Sequence, residues 1–200
     1  MTLVENQLPV LHALRCGGYS GTARVVLATG LAEFEAESVL IDLASEGLVT
    51  REFGAWGLTS AGKAADAARI TEELDSAGTR AEVTAAYERF LVLNPELLEL
   101  CTAWQLRPVD GVPTVNDHDD SGYDERVLAR FADLHRRAGP VLSALEAALP
   151  RFGRYRPRLA GALGRARVGE LEYIADDTAA YHTVWAELHE DLLATLGIPR

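Results

Sequence analysis

SVLIDLASEGLVTREFGAWGLTSAGKAA, residues 38–65, decides the fold of the first third of the chain. Ala36, Leu40 and Leu43 recur at i, i+4 and i+7, so residues 33–46 form an amphipathic helix. Gly47 ends it, because glycine tolerates the left-handed conformation at a helix C-terminus. LVTREF then reads as a short strand, GAW as a tight turn with Trp56 at its tip, and GLT as the returning strand. Ser60 opens a long helix that runs to about Ser76. Upstream, residues 4–15 follow helical spacing until CGGYSG interrupts them. Ser20 is placed to cap a short helix over residues 21–28, and Thr29-Gly30 makes the next turn.

The order helix, helix, helix, hairpin, long helix is that of a winged helix-turn-helix. At TGL, SVLIDLASEGLV and LTSAGKAA the sequence resembles the MarR-type winged-helix transcription regulators. The resemblance spans about residues 8–70, and its most specific piece is the strand-final LT two residues before GK. It implies a bacterial regulator that binds DNA as a homodimer, with residues 33–46 as the recognition helix. Glu35, Glu37, Ser38 and Asp42 then stand where base and phosphate contacts are made, with Arg24, Arg51 and Trp56 beside them. A small anionic or aromatic effector in the remaining, helical part of the chain completes that expectation.

The chemistry of the recognition helix departs from the resemblance. Residues 30–49 carry Glu33, Glu35, Glu37, Asp42 and Glu46 and neither Lys nor Arg. Base and phosphate contacts are made by Arg, Lys, Asn, Gln, Ser or Thr. A carboxylate about 6 Å from a phosphate is repelled by about 0.7 kcal/mol at the dielectric constant of water, and three cost on the order of 2 kcal/mol before screening. Acids in a helix's first turn also complement the macrodipole, so Glu33, Glu35 and Glu37 fit a plain solvated face, whereas Asp42 and Glu46 do not. A second expectation follows: a winged helix that docks a basic protein and binds no DNA.

Composition sets the outer bounds. A chain of 200 residues with net charge −11 holds one large domain or two small ones and has no overall basic face for nucleic acid. No apolar run is long enough to span a bilayer, and no export signal opens the chain, so the expected setting is the cytoplasm with no membrane partner. Cys16 and Cys101 stand far apart, which gives no disulfide framework.

Asp75-Ser76-Ala77-Gly78 marks the expected boundary between a winged-helix domain, residues 1–78, and an all-α domain, residues 79–200. The fold class is therefore mainly α. Expected helices cover 79–92, 95–106, 123–138, 140–149, 157–167, 169–175 and 177–196, and residues 107–122 form one long polar loop. Residues 169–196 are the first candidate for a dimer face.

Candidate ligand-binding residues fall in this second part. His182, Trp185 and His189 lie almost along one line of the last helix, but two histidines at i, i+7 are about 10 Å apart and cannot share a metal. Trp104 precedes the polar loop and His118 lies within it, placed to fold over a pocket as part of a polar lid. Asp117, Asp119, Ser121 and Gly122 imitate a calcium loop, yet Leu128 stands where a bidentate Glu is needed, so Ser121 with Asp124 reads as a capping box. Arg154, Arg156 and Arg158 form an anion-binding candidate before a helix start, with Tyr155 and Phe152 placed to stack on a ring. No GxSxG, Walker A, GxGxxG or HExxH motif is present, so no enzyme, metal or cofactor is expected. The remaining alternative is a small-molecule binder or enzyme with its site near Trp104, His118, His182 and Trp185.

Overall fold

Gly62 shows how tightly the first part of the chain is built, and the computed structural model, which describes residues 3–199, shows why. Among these residues the chain is mainly helical, with eight α-helices, two short 3-10 turns and two β-hairpins. No helix among the described residues is long and apolar enough to cross a membrane. The chain forms two units: one runs to Arg80 and takes back the segment from Glu187 onward, and the other is Ala81–Ala186.

The first unit follows the order α1 (Leu3–Gly17), α2 (Thr22–Thr29), α3 (Glu33–Ser45), β1 (Val49–Glu52), β2 (Ala55–Leu58) and α4 (Ser60–Ala77). Its core joins Val10, Leu11 and Leu14 of α1 with Val25 of α2, with Ala36, Val39, Leu40 and Leu43 of α3, and with Val49 and Trp56 of the hairpin. The Ala32 N–H donates to the Glu35 carboxylate at 3.1 Å, which fastens the first turn of α3. Gly47, at φ 72°, turns the chain out of α3 as expected.

β1 and β2 pair antiparallel from Val49 opposite Leu58 to Glu52 opposite Ala55. The two residues between them, Phe53 and Gly54, both have positive φ (50° and 83°), as a tight hairpin turn requires. The turn is therefore Phe53-Gly54, and Trp56 lies inside β2, 5 % exposed, instead of at the tip. Ser20 does not cap α2: its hydroxyl donates to the Gly18 carbonyl, and its backbone exchanges bonds of 2.9 and 2.8 Å with Trp56. Gly21 is the residue before the helix.

The LTSAGK segment has a clear physical role. The Thr59 hydroxyl accepts from Gly62 N at 3.0 Å and so caps α4. Gly62 in turn lies against the Leu48 carbonyl, and a Cβ there would stand 1.9 Å from that oxygen.

In the second unit, α5 (Arg80–Gln105) and α6 (Ser121–Ala148) each run straight through a proline at which a break was expected. The buried rows explain this. Phe90, Leu93, Leu97 and Leu100 continue across Pro95, and Leu134, Ala138, Val141 and Leu145 across Pro140, so packing outweighs the lost hydrogen bond. Residues 107–122 are not one loop, and the region is not all α: β3 (Leu106–Val109) and β4 (Val112–Val115) form a hairpin with Pro108 opposite Pro113. Its turn is Asp110-Gly111, again with both φ values positive (51° and 81°). Asp120, not Ser121, caps α6, accepting from Tyr123 N at 2.9 Å.

Residues Pro150–Arg154 make a 3-10 turn ahead of α7 (Tyr155–Arg167). The expected helix 169–175 shrinks to a 3-10 turn at Leu171–Tyr173, and α8 (Tyr181–Leu196) begins later than expected. Asp177 spends its carboxylate on Ala179 N (2.6 Å), in the turn before α8.

Gly62→Ala is expected to cost at least about 3 kcal/mol, since the methyl group meets backbone that cannot rotate away. Urea denaturation of the full chain measures it; a midpoint within error of wild type removes the close-approach explanation.

Candidate functional site

The outer face of α3 is built by the helix period. With Ala36, Val39, Leu40 and Leu43 turned inward, Phe34, Glu37, Ser38 and Ile41 are left on the opposite side at i, i+3, i+4 and i+7. Phe34 is 74 % exposed and Ile41 55 %, and Glu37 is exposed between them. Phe53 projects fully at the hairpin tip, and Leu27 on α2 is also exposed.

The other residues assigned to DNA are distributed unevenly. Glu35 is half-buried and holds the start of α3, and Asp42 is half-buried. Arg24, half-buried, directs its Nε and a terminal nitrogen to Glu187 at 3.3 and 3.0 Å, a pair within the first unit. A guanidinium held by a nearly buried carboxylate is neutralised where a phosphate would need it. Arg51 is exposed and stacks over the Trp56 ring at 5.1 Å, and Trp56, bonded through its indole N–H to Thr22, belongs to the core.

Of the expected ligand residues, the structure brings Trp104 and His118 together. Their rings lie 4.7 Å apart. Asp124, at the start of α6, holds His118 Nδ1 at 2.9 Å with one oxygen and accepts from Asn116 Nδ2 at 2.8 Å with the other. The same Asn116 nitrogen donates to the Trp104 carbonyl at 3.0 Å. His118 has a positive φ of 63°, a conformation held by these contacts. With Nδ1 fixed by a carboxylate, Nε2 is the ring atom left to meet a ligand.

Trp185 is not part of that group. It is 2 % exposed, stacks on Phe90 at 4.7 Å and donates its indole N–H to Asn94 at 3.0 Å. His182 is half-buried in the second unit, whereas His189 belongs to the first. The apolar stripe Tyr181, Val184, Trp185, Leu188 and Leu192, whose spacing suits either core or dimer packing, is buried within the chain itself. Tyr181 also takes part in a ring contact with Phe131, and burial pushes its hydroxyl pKa up. Cys101 is buried too, and desolvation pushes its thiol to about 11.

The arginine cluster lies on its own aromatics. Arg151 covers Phe152 at 4.5 Å, and Arg154 and Arg158 cover Tyr155 at 4.9 and 5.8 Å. Phe152 and Tyr155 are buried, so neither offers a face to a ligand; Arg156 is the exposed member.

Two features were not expected from the sequence. A cleft of about 580 Å³ lies between α5 and the β3–β4 hairpin, lined by Leu98, Thr102, Leu106, Pro108, Pro113 and Tyr123. Tyr123 holds its wall by donating to the Ala103 carbonyl at 2.8 Å. The second feature, in the first unit, is His12, fully buried, with Asp66 on Nδ1 at 3.0 Å and Asp191 on Nε2 at 2.9 Å. Burial pulls the His12 pKa down, but the charge of Asp191 and the bonds to both carboxylates outweigh it and leave it well above the ordinary value. Cys16 Sγ is 3.5 Å from the same Nε2. The i, i+4 spacing of His12 and Cys16 was the available signal; Asp191 is too distant in sequence to be joined to it by spacing.

Comparison with protein-family models, curated proteins and solved structures finds no match.

Native chain treated with iodoacetamide at pH 8 is expected to leave Cys101 unmodified, because its thiol stays protonated there; peptide mass mapping checks this, and rapid native labelling of Cys101 contradicts its placement. Asp124→Ala is expected to cost about 2–3 kcal/mol in urea denaturation, since it takes one of two acceptors from the buried Asn116 amide and the only carboxylate from His118 Nδ1 among the contacts described.

Proposed function

We propose that the first unit is a winged helix turned to protein recognition, and that α3 docks the chain onto a basic partner protein. The observation that carries this reading is the outer face of α3, where Phe34 and Ile41 stand exposed among acids with no cation on the helix. A partner that buries both side chains gains about 1.5–3 kcal/mol for each one fully covered. The surrounding carboxylates favour a positively charged surface and speed its approach. The order α1 to α4 and the Thr59–Gly62 cap support the winged-helix likeness.

The reading as a cytoplasmic, dimeric DNA-binding regulator is the second one. The element order and exposed Arg51 favour it. The engaged Arg24 and the apolar face of α3 weigh against it. In either reading the second unit, with its cleft beside β3 and β4, is the proposed place for a small-molecule effector.

Binding at low salt separates the two readings. The probes are a lysine- and leucine-rich amphipathic peptide and the duplex upstream of the chain's own gene. The peptide is expected to bind and to lose about tenfold in affinity with Ile41→Ser, while the duplex shows no shift. A duplex shift with a steep salt slope, indifferent to Ile41→Ser, overturns the proposal in favour of the regulator.

A further inference from the structure

The buried group around His12 has the composition and the arrangement of a metal site. His12 and Cys16 lie one turn apart on the same side of α1, and Asp191 on α8 reaches the same point within the first unit. His12 Nε2, Cys16 Sγ and an Asp191 oxygen all fall within 4.8 Å of one another. Cys16 is in no disulfide. Around tetrahedral zinc, N and O ligands stand about 3.4 Å apart and N and S about 3.6 Å. The 3.5 Å from His12 to Cys16 already matches, the 2.9 Å from His12 to Asp191 has to widen by about 0.5 Å, and Cys16 and Asp191, within 4.8 Å of each other, have to settle about 3.6 Å apart.

The supporting residues point the same way. A ligating histidine normally gives its other N–H to a carboxylate, and Asp66 takes Nδ1 of His12 at 3.0 Å, leaving Nε2 for the metal. A ligating carboxylate is normally itself hydrogen-bonded, and the Thr195 hydroxyl, which donates to the Asp191 backbone carbonyl at 2.6 Å, also lies 3.1 Å from Asp191 Oδ1.

Histidine binds a metal as the neutral imidazole and cysteine as the thiolate, so a divalent ion entering this group displaces ligand protons as it binds.

We propose that His12, Cys16 and Asp191 bind a divalent transition metal, with zinc the best fit to an N, S, O ligand set. Asp66 is a positioning residue that orients the imidazole. Three protein ligands leave the fourth position to water.

Cobalt(II) titrated into the full chain, dialysed beforehand against a chelator, reports on the thiolate directly. One equivalent is expected to produce a thiolate-to-cobalt charge-transfer band, which zinc then bleaches. Cys16→Ser, checked for folding by circular dichroism, is expected to abolish the band while Cys101→Ser keeps it. Asp66→Asn is expected to weaken cobalt binding 10- to 100-fold without removing the band. Calorimetry of wild-type chain with zinc in two buffers of different ionisation heat is expected to show net proton release on binding, and does not depend on any variant folding. Absence of the band in folded wild-type chain, survival of the band in Cys16→Ser, or binding without proton release overturns the proposal and leaves a plain Asp–His–Asp ion triad.

Discussion

A buried imidazole with a carboxylate on each ring nitrogen holds the first unit closed. His12 comes from α1, Asp66 from α4 and Asp191 from α8, so one side chain fastens three elements far apart in sequence. Residues 10–14 of α1 are buried consecutively, which places protein on every side of that helix. Leu11 and Leu14 meet the apolar core, and His12 meets the acids. Each charge is tolerable only because the others are present. Removing one member of such a buried group leaves a charge without a partner, at a cost of about 3–5 kcal/mol. The end of α8 is thus bound to residues 1–80 by polar contacts with strict geometry, with Arg24–Glu187 and Arg15–Glu190 reinforcing them.

That arrangement bears on the outer face of α3. Arg24 is spent on closing the unit, which takes from the surface a cation that nucleic acid would have needed. What remains outside on α3 is apolar and acidic, the surface on which the proposed recognition of a basic protein rests. In the second unit, the His118–Asp124–Asn116 group fixes a histidine ring beside Trp104, and the nearby elements of α5 and β3–β4 shape a cleft.

Local chemistry was legible wherever it was decided locally. The period of α3, its glycine stop, the first hairpin and the start of α4 could all be read from residues 33–65, because spacing and capping act over a few positions. The Asp110-Gly111 hairpin carries an equally local signal, a strong turn pair between two valines, inside a stretch whose polarity reads as a loop. Pro95 and Pro140 misled for the opposite reason: their local cost is real, but burial on either side of them is not visible in the proline itself. Trp56 looked like a tip residue because the turn was placed two residues late. Of the ligand candidates, Trp104 and His118 did converge, whereas Trp185 and the aromatics near Arg154 were drawn into the core, where large rings have most to gain. Only the His12–Cys16 spacing of the His12 group is written locally; Asp66 and Asp191 join it from α4 and α8, too distant in sequence for spacing to connect.

The facing prolines of the second hairpin decide what it can join. Val109 and Val112 flank a two-residue turn and so form the hydrogen-bonded pair; Pro108 and Pro113, one step further, sit where an N–H would point away from the hairpin. The outward donors of this pair are therefore missing, and neither edge presents an unbroken row of backbone groups for a third strand. The hairpin stays two-stranded in the face of other extended chains, and whatever occupies the cleft beneath it must be gripped by side chains instead of by strand addition.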